Sequence, residues 1–283
     1  MPAIGPAARA AIKGYLEGFI EGLVGRYEGR SFTQFSNPRE YLSRASSQEE
    51  RLLRPFHAAI IPSELRRISA FERGFSTSLG TTFEECARLI ALEHHQDAQR
   101  NYTLTGYVSL NAINEIEHQV ALFERAAEGS ASARKPDFEH MISAVLKARR
   151  TDDLEPRRAR ADLYILSQDG TEYFFEVKSP DPNKGQCLEV TQRLLRFHLL
   201  RGHPRPAVRA YFAMAYNPYG PRRDDYKWSF ARNYMPFEQA VLIGHEFWDI
   251  VGGPTAYEEL LAIYQEMGRE KAKYIIDALV FGF

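Results

Sequence analysis

The stretch from Ala161 to Lys178 constrains the fold of this chain more than any other. Its two halves are rich in β-branched and aromatic residues, which favour strands. Between them, Gln168-Asp169-Gly170 is typical of a turn, and Gly170 can take the left-handed conformation that ends a three-residue hairpin loop. The sequence therefore predicts two antiparallel strands joined by a tight turn.

The length of this loop sets the register of the hairpin. A three-residue loop places Ser167 opposite Thr171 and Asp162 opposite Glu176. Because alternate residues of a strand share a face, Asp162, Glu176 and Lys178 then project together, whereas a two-residue loop would turn Asp162 away. The other face is predicted to enter a core through the side chains of Leu163, Ile165, Tyr173, Phe175 and Val177.

Two adjacent carboxylates repel each other unless a cation lies between them. Mg²⁺ is commonly held by one or two carboxylates together with water and substrate phosphate. We therefore expect Asp162 and Glu176 to bind Mg²⁺, with the Val177 carbonyl as a further ligand, while Lys178 orients an attacking water. This layout is typical of a metal-dependent phosphodiesterase. The alternative, a solvated Glu-x-Lys face, is disfavoured by the apolar flanks.

The pattern resembles the PD-(D/E)XK nuclease superfamily, in which an Asp ends one strand and Glu/Asp-x-Lys lies on the next. Asp162, Glu176 and Lys178 are the matching residues, and Ala161 stands where the superfamily often has Pro. The resemblance implies a restriction-endonuclease-like core. This is an α/β fold with α+β character, in which helices flank a central mixed β-sheet.

A further acid is expected from the region before the hairpin. Gly80 is predicted to interrupt the helical pattern, with Thr81 or Thr82 capping a new helix. In the superfamily the first core helix often brings a Glu to the site, and Glu84 is the better match because it lies beside an apolar stripe. Glu85 is its rival, and a capping-box carboxylate is an equally weighted alternative.

Helix and strand patterns outside the hairpin complete the predicted architecture. Helices are expected over residues 7–27, 38–56, 109–127, 137–149 and 185–201, strands over 207–216 and 239–243, and a charged loop over 149–160. Residues 1–62 are predicted to form a helical N-terminal region. Residues 63–283 are predicted to form the nuclease domain with a helical C-terminal cover, unless the two make one continuous domain.

Basic residues are concentrated after the hairpin. Residues 193–227 contain eight basic and two acidic side chains, although the whole chain has a net charge of −1. The polar, aromatic insertion 217–235 is predicted to read bases, although a loop that contacts only phosphates is the alternative. The predicted DNA-binding residues are Arg222, Arg223, Asp224, Asp225, Lys227, Lys184 and Gln192.

Bulk properties fit a globular protein in a reducing cytoplasm, which is expected to be that of a prokaryotic cell. The 283 residues include 44% hydrophobic and 26% charged residues, without an apolar run near the roughly 18 residues of a membrane span. The N-terminus lacks the order of a signal peptide. Cys86 and Cys187 fit no metal or redox spacing and are expected to be core thiols.

Four blocks together resemble the TdeIII-type family of type II restriction endonucleases. They are FERGFSTSLGTTFEECARLIA, EYFFEVKSPDPNKGQ, YNPYG with a following YKW, and LIGHEFWDIVGG with YEELL. The resemblance implies Mg²⁺-dependent cleavage of both strands at a short DNA sequence by a homodimer. It also implies a cognate DNA methyltransferase that acts on the same sequence without forming a stable complex. A structure-specific repair nuclease and a catalytically inactive DNA-binding module are the alternatives.

Overall fold

The computed structural model describes residues 2–28, 60–129, 135–202 and 207–281. The helix expected over 38–56 lies outside these ranges. The described helices are α1 (Pro6–Tyr27), α2 (Ser63–His94), α3 (Leu110–Glu128), α4 (Phe138–Lys147), α5 (Lys184–Arg201), α6 (Ser229–Tyr234), α7 (Phe237–Ala240), α8 (His245–Gly252) and α9 (Ala256–Ile276). The helices expected over 7–27, 109–127, 137–149 and 185–201 are confirmed within a few residues.

A five-stranded mixed sheet forms the centre of the fold. Its strands, which also follow one another in space, are β1 (Asp97–Ser109), β2 (Leu154–Leu166), β3 (Glu172–Lys178), β4 (Val208–Met214) and β5 (Val241–Ile243). The first three pair antiparallel, whereas β3, β4 and β5 run parallel. Helix α5 makes the crossover from β3 to β4, so the predicted mixed sheet with flanking helices is confirmed.

The hairpin of β2 and β3 has the register predicted from its loop. Ser167 donates its main-chain N–H to Thr171 at 2.9 Å, and Leu163 lies opposite Phe175. Gly170 has a φ of 84°, in the left-handed region that an L side chain rarely adopts. Continued by one residue, this register sets Asp162 opposite Glu176.

Both faces of the hairpin are buried. The predicted core face is confirmed by Leu163 and Phe175, which are inaccessible to solvent. The face that carries Asp162 is also covered, because Phe174 stacks on Phe197 of α5 with ring centroids 4.7 Å apart. Burying each such side chain contributes about 1.5–3 kcal/mol. The charged side chains therefore lie at the end of a strand pair that is enclosed by helix and sheet.

The prediction of a charged loop over residues 149–160 is wrong for most of that range. Strand β2 begins at Leu154, and its first half pairs with β1, a strand that the sequence pattern did not predict. Along this half, exposed and less exposed residues alternate, and Arg158 and Arg160 are exposed on either side of the buried Ala159. Such alternation is what a strand with one solvated face produces. The sequence pattern did not indicate a strand here because charged arginines occupy its outward-facing positions.

The helix break expected at Gly80 is also wrong, since α2 runs through it. The hydroxyls of Thr81 and Thr82 donate to the carbonyls of Ser78 and Leu79, one turn back, at 2.6 and 2.7 Å. They are thus satisfied within the helix instead of capping one. A glycine inside a helix costs about 1 kcal/mol relative to alanine, which the rest of a 32-residue helix tolerates. The capping-box interpretation of the acids that follow therefore fails.

The chain divides into two compact units. One consists of Met1–Arg9 and Phe83–Leu261 and contains the whole sheet, and the other consists of Ala10–Thr82 and Ala262–Phe283. The domain boundary expected after residue 62 stays a prediction. None of the helices in the described ranges combines the length and apolar character needed to cross a membrane.

Candidate active site

Asp162 lies where the regular pairing of β2 ends. Its Oδ2 accepts the main-chain N–H of Val177 at 2.9 Å and the Nζ of Lys178 at 2.7 Å. On the other side, Asn101 of β1 faces this position with a φ of 54°. It is the only residue other than glycine with positive φ in the described part of the chain, and such conformations concentrate at functional sites. The sheet is thus locally irregular on both sides of Asp162.

Glu176 is the most enclosed acid of the site, with a side chain that is 0% exposed. Its Oε2 accepts from Nη1 of Arg193 at 2.7 Å and lies 3.6 Å from Nζ of Lys178. Its Oε1 is buried without a hydrogen-bond partner among the described residues. Burial, with the neighbouring charge of Asp162, raises the pKa of Glu176 to about 7. An unpartnered oxygen on a buried carboxylate is costly, and a cation would relieve that cost.

Lys178 is the cationic member of the site. Burial lowers its pKa, but the hydrogen bond to Asp162 and the charges of both carboxylates outweigh that effect and raise the pKa overall. Lys178 is therefore an ammonium group at neutral pH, and it acts as a hydrogen-bond donor. The structure thus brings together the three residues that the hairpin register selects.

Glu84, and not Glu85, responds to the charge at Asp162. Burial raises the pKa of Glu84, Asp162 raises it further, and the hydrogen bond from Arg100 at 3.0 Å opposes both. The pKa of Glu85 is lowered, chiefly by its hydrogen bond from Arg88 at 2.6 Å, without a contribution from Asp162. Helix α2 thus directs Glu84 towards the site, whereas Glu85 pairs with Arg88 and, at 3.4 Å, with Arg100.

The donor set fits a hard cation with few protein ligands. In the described residues, no group of three or more His, Cys, Asp or Glu side chains converges as a metal site. Two carboxylates at Asp162 and Glu176, one with an unpartnered buried oxygen, match the usual protein contribution to Mg²⁺ binding.

A family model described as type II restriction endonuclease, HinfI, matches residues 35–268. The chain belongs to the HinfI family of type II restriction endonucleases. Three type II restriction enzymes of Herpetosiphon aurantiacus are similar over 98% of this chain and 99% of their own lengths. HgiEI and HgiBI are each 42% identical to it, and HgiCII is 41% identical.

Members of this class are site-specific deoxyribonucleases, so the predicted class of enzyme is confirmed at the level of the family. The more specific resemblance to the TdeIII-type family stays an unconfirmed prediction, because the matching model is that of HinfI.

The residues predicted to contact DNA fall into two groups in this HinfI-family endonuclease. Arg222, Asp224 and Lys227 are exposed, and the side chain of Arg222 is 80% accessible with only a 3.6 Å approach to Asp225. Asp225 also accepts the main-chain N–H of Arg222 at 3.0 Å. This group forms an accessible charged surface that a bound duplex could reach.

The second group is engaged within the protein. Arg223 donates to Glu246 at 2.6 Å and to the carbonyl of Val241 at 3.0 Å, and its guanidinium lies 4.5 Å from the centre of the Phe237 ring. Lys184 pairs with Glu124 at 2.7 Å and with Glu128.

Gln192 is partly buried on α5. It directly precedes Arg193, the residue that holds Glu176.

The insertion 217–235 is only partly a surface segment. Tyr226 is fully buried, and its hydroxyl donates to the carbonyl of Pro180. Trp228 donates its indole N–H to the carbonyl of Pro182 at 2.7 Å. Although its composition is polar, the segment thus contributes Tyr226 to the core, and Tyr226 and Trp228 attach it to the loop after β3.

Sequence reasoning missed the cations that hold the acids of the endonuclease. The charge pattern places Arg193 only within a basic region, although its position on a helix that follows the catalytic strand is a usable signal. Arg100 lies in β1, which the sequence pattern did not predict as a strand. Neither residue has a motif of its own, because each acts through the carboxylate that it contacts.

Proposed function

We propose that this chain is a Mg²⁺-dependent type II restriction endonuclease of the PD-(D/E)XK superfamily. It cuts both strands of a short, specific duplex sequence and leaves 5′-phosphate and 3′-hydroxyl ends. The observation that carries the proposal is the cluster of three charged residues at the end of one hairpin. Glu176 is buried beside Asp162, and Lys178 donates a hydrogen bond to Asp162 at 2.7 Å. The membership of the HinfI family supports it.

Asp162 and Glu176 would hold the metal, together with the main-chain carbonyl of Val177. When bound, Mg²⁺ would neutralise the negative charge that develops on the phosphate. The buried Oε1 of Glu176, which lacks a partner among the described residues, is available for this contact. Glu84 adds a third carboxylate whose pKa responds to Asp162, and we assign it to the same catalytic group.

Lys178 orients the attacking water. Its ammonium donates hydrogen bonds, and its side chain is 38% exposed, so that it can face both Asp162 and solvent. The water oxygen attacks phosphorus opposite the 3′ oxygen, and the P–O3′ bond breaks. The 3′ oxygen takes up a proton, and the water loses one, so that a 3′-hydroxyl and a 5′-phosphate result.

The partner is double-stranded DNA. A site of this kind cuts one strand, and a homodimer places two such sites on the two strands of a symmetric sequence. A cognate methyltransferase would protect the host DNA at that sequence, and both enzymes would act in the bacterial cytoplasm. The similarity to type II restriction enzymes of the bacterium Herpetosiphon aurantiacus supports this setting.

Digestion of a long, unmethylated DNA tests the proposal. With Mg²⁺ we expect discrete bands, and with a chelator we expect intact DNA. A smear would favour a nuclease without sequence specificity, and intact DNA under both conditions would favour a DNA-binding module without activity. The expected ends accept a labelled phosphate from polynucleotide kinase only after phosphatase treatment.

Light scattering or sedimentation at cutting concentrations tests the dimer. A monomer that remains monomeric on its cognate duplex and still cuts both strands at once would overturn this part of the proposal.

A further inference from the structure

Four arginines line one cavity beside the active site. The cavity has a volume of about 430 Å³, and its lining residues are Thr103, Arg158, Ala159, Arg160, Arg193 and Arg196. No acidic side chain is among them. A cavity with this lining is a strongly cationic place on the protein surface.

The two elements that build the active site also build this cavity. Arg158 and Arg160 are alternate residues of β2, roughly 7 Å apart on one face of the strand, and Asp162 follows two residues after Arg160. On α5, Arg193 and Arg196 are three residues apart and therefore adjacent on the helix surface. Arg193 also contacts Glu176, and it is thus a wall common to the cavity and the catalytic site.

Most of the positive charge in the cavity is not balanced by the protein. Arg193 is neutralised by Glu176 and by Glu189 at 2.5 Å. Arg160 donates to the neutral amide of Asn101. Within the described ranges, no ion pair to a carboxylate is found for Arg158, Arg160 or Arg196.

Arg196 experiences this excess of charge directly. Burial lowers its pKa, and the positive charges of Arg193 and Arg157 lower it further, while the more weakly acting Glu117 opposes them. A half-buried guanidinium among like charges is unfavourable, and an anion in the cavity would remove that cost.

We propose that this arginine cavity binds a phosphate of the DNA backbone next to the phosphate that is cut. The inference rests on the proposed function, which supplies the duplex. Guanidinium groups match phosphate oxygens with two parallel hydrogen bonds, and several of them around one cavity favour a phosphodiester over a base edge. The bound phosphate fixes the register of the strand so that the adjacent one meets Asp162, Glu176 and Lys178.

Salt-dependent binding tests the proposal in the full-length protein. Arg160→Ala, Arg196→Ala and the double variant are compared with the native protein on a duplex that contains the cognate site, with chelator present to prevent cutting. Losing the contact with this one phosphate should reduce the slope of log K against log salt by about 0.9, with the full reduction in the double variant and part of it in each single variant. Arg269→Ala is the matched control, because it removes an exposed arginine from α9.

Neutral phosphates locate the contact. A series of duplexes, each with one methylphosphonate near the cut, should include one position that weakens binding of the native protein. The double variant should be insensitive to that position, because it no longer binds the phosphate there. Arg160→Lys and Arg196→Lys should recover the salt slope but only part of the affinity, since an ammonium cannot make two parallel bonds.

Unchanged affinity and salt slope in folded alanine variants would overturn the proposal. It would also be overturned if, at every methylphosphonate position, the loss of affinity caused by the methylphosphonate simply added to the loss caused by the double substitution. Thermal melting identifies a variant that has lost its fold, and the lysine variants then serve in the methylphosphonate series. Cutting by the native protein is measured in parallel with Mg²⁺. Failure to cut would refute the proposed function, whereas cutting combined with unaltered binding by the variants would refute the arginine cavity alone.

Discussion

The β2–β3 hairpin and the insertion 217–235 are both rich in charged and aromatic residues, but the protein uses them differently. In the hairpin, Asp162 and Lys178 approach to 2.7 Å and Glu176 is buried beside them. In the insertion, one arginine is 80% exposed while the next has a side chain that is only 22% exposed and is held by Glu246. Similar compositions thus produce a converging site in one region and a divided surface in the other.

The difference shows what a regular backbone adds to a charge pattern. In a strand, the two-residue period and the register fix the face of every side chain, so Asp162 and Glu176 must meet once the loop length is known. A loop has no such period, and adjacent residues such as Arg222 and Arg223 can face solvent or core with equal ease. Substitutions that change the cleavage rate in one region and the stability of the fold in the other therefore test this comparison.

The largest effect is expected in the hairpin. Asp162→Ala, Glu176→Ala and Lys178→Ala should each reduce cutting by at least about 10²–10³-fold, because we propose that each of these groups acts on the reacting phosphate or its metal. The rate of plasmid cleavage with Mg²⁺ measures this, and circular dichroism checks the fold. Full activity in any of the three variants would refute the site and with it the contrast between the two regions.

The next effect separates two adjacent acids on α2. Glu84→Ala should lower the cleavage rate by about 10²-fold, and Glu85→Ala should have a much smaller effect, because only Glu84 responds to the charge of Asp162. Each variant is the control for the other, since both remove a partner of Arg100. The reverse order would move the assignment by one residue.

In the insertion, the first expected effect is on stability. Arg223→Ala should lower the free energy of unfolding by about 2–4 kcal/mol, because it removes a guanidinium that donates to Glu246 and to two main-chain carbonyls. Arg222→Ala should change it by less than about 0.5 kcal/mol. Urea unfolding followed by fluorescence distinguishes them, and equal losses would mean that the two arginines are not divided between core and surface.

The smallest effect tests whether the exposed arginine reads a base. If Arg222 contacts guanine, Arg222→Ala should weaken binding of the cognate duplex by about 1–3 kcal/mol and relax discrimination at one base pair. Binding of random duplexes and the salt slope should change little. Matched losses on both duplexes, with a shallower slope, would reduce the exposed group to a contact with the backbone.

The sequence predicted the hairpin, its register and its three polar residues, because loop length and alternation determine them together. It did not predict β1 or the first half of β2. Their outward positions carry Arg158 and Arg160, and these charges suggested a loop.

The helix break predicted at Gly80 is wrong because the local preference of glycine against helix is weaker than the packing of a long helix. The burial of Tyr226 depends on contacts with Pro180, 46 residues away, which no local pattern contains.

The pairing of Glu176 with Arg193 has a consequence for how the enzyme folds in the absence of a metal ion. The buried acid is balanced by a cation that belongs to the chain, so folding does not have to wait for an ion from solution. Zinc fingers are the opposite case, because their folding free energy is supplied by the metal. A chelator should therefore stop cutting while the protein stays folded, and magnesium added back should restore cutting at once, without refolding.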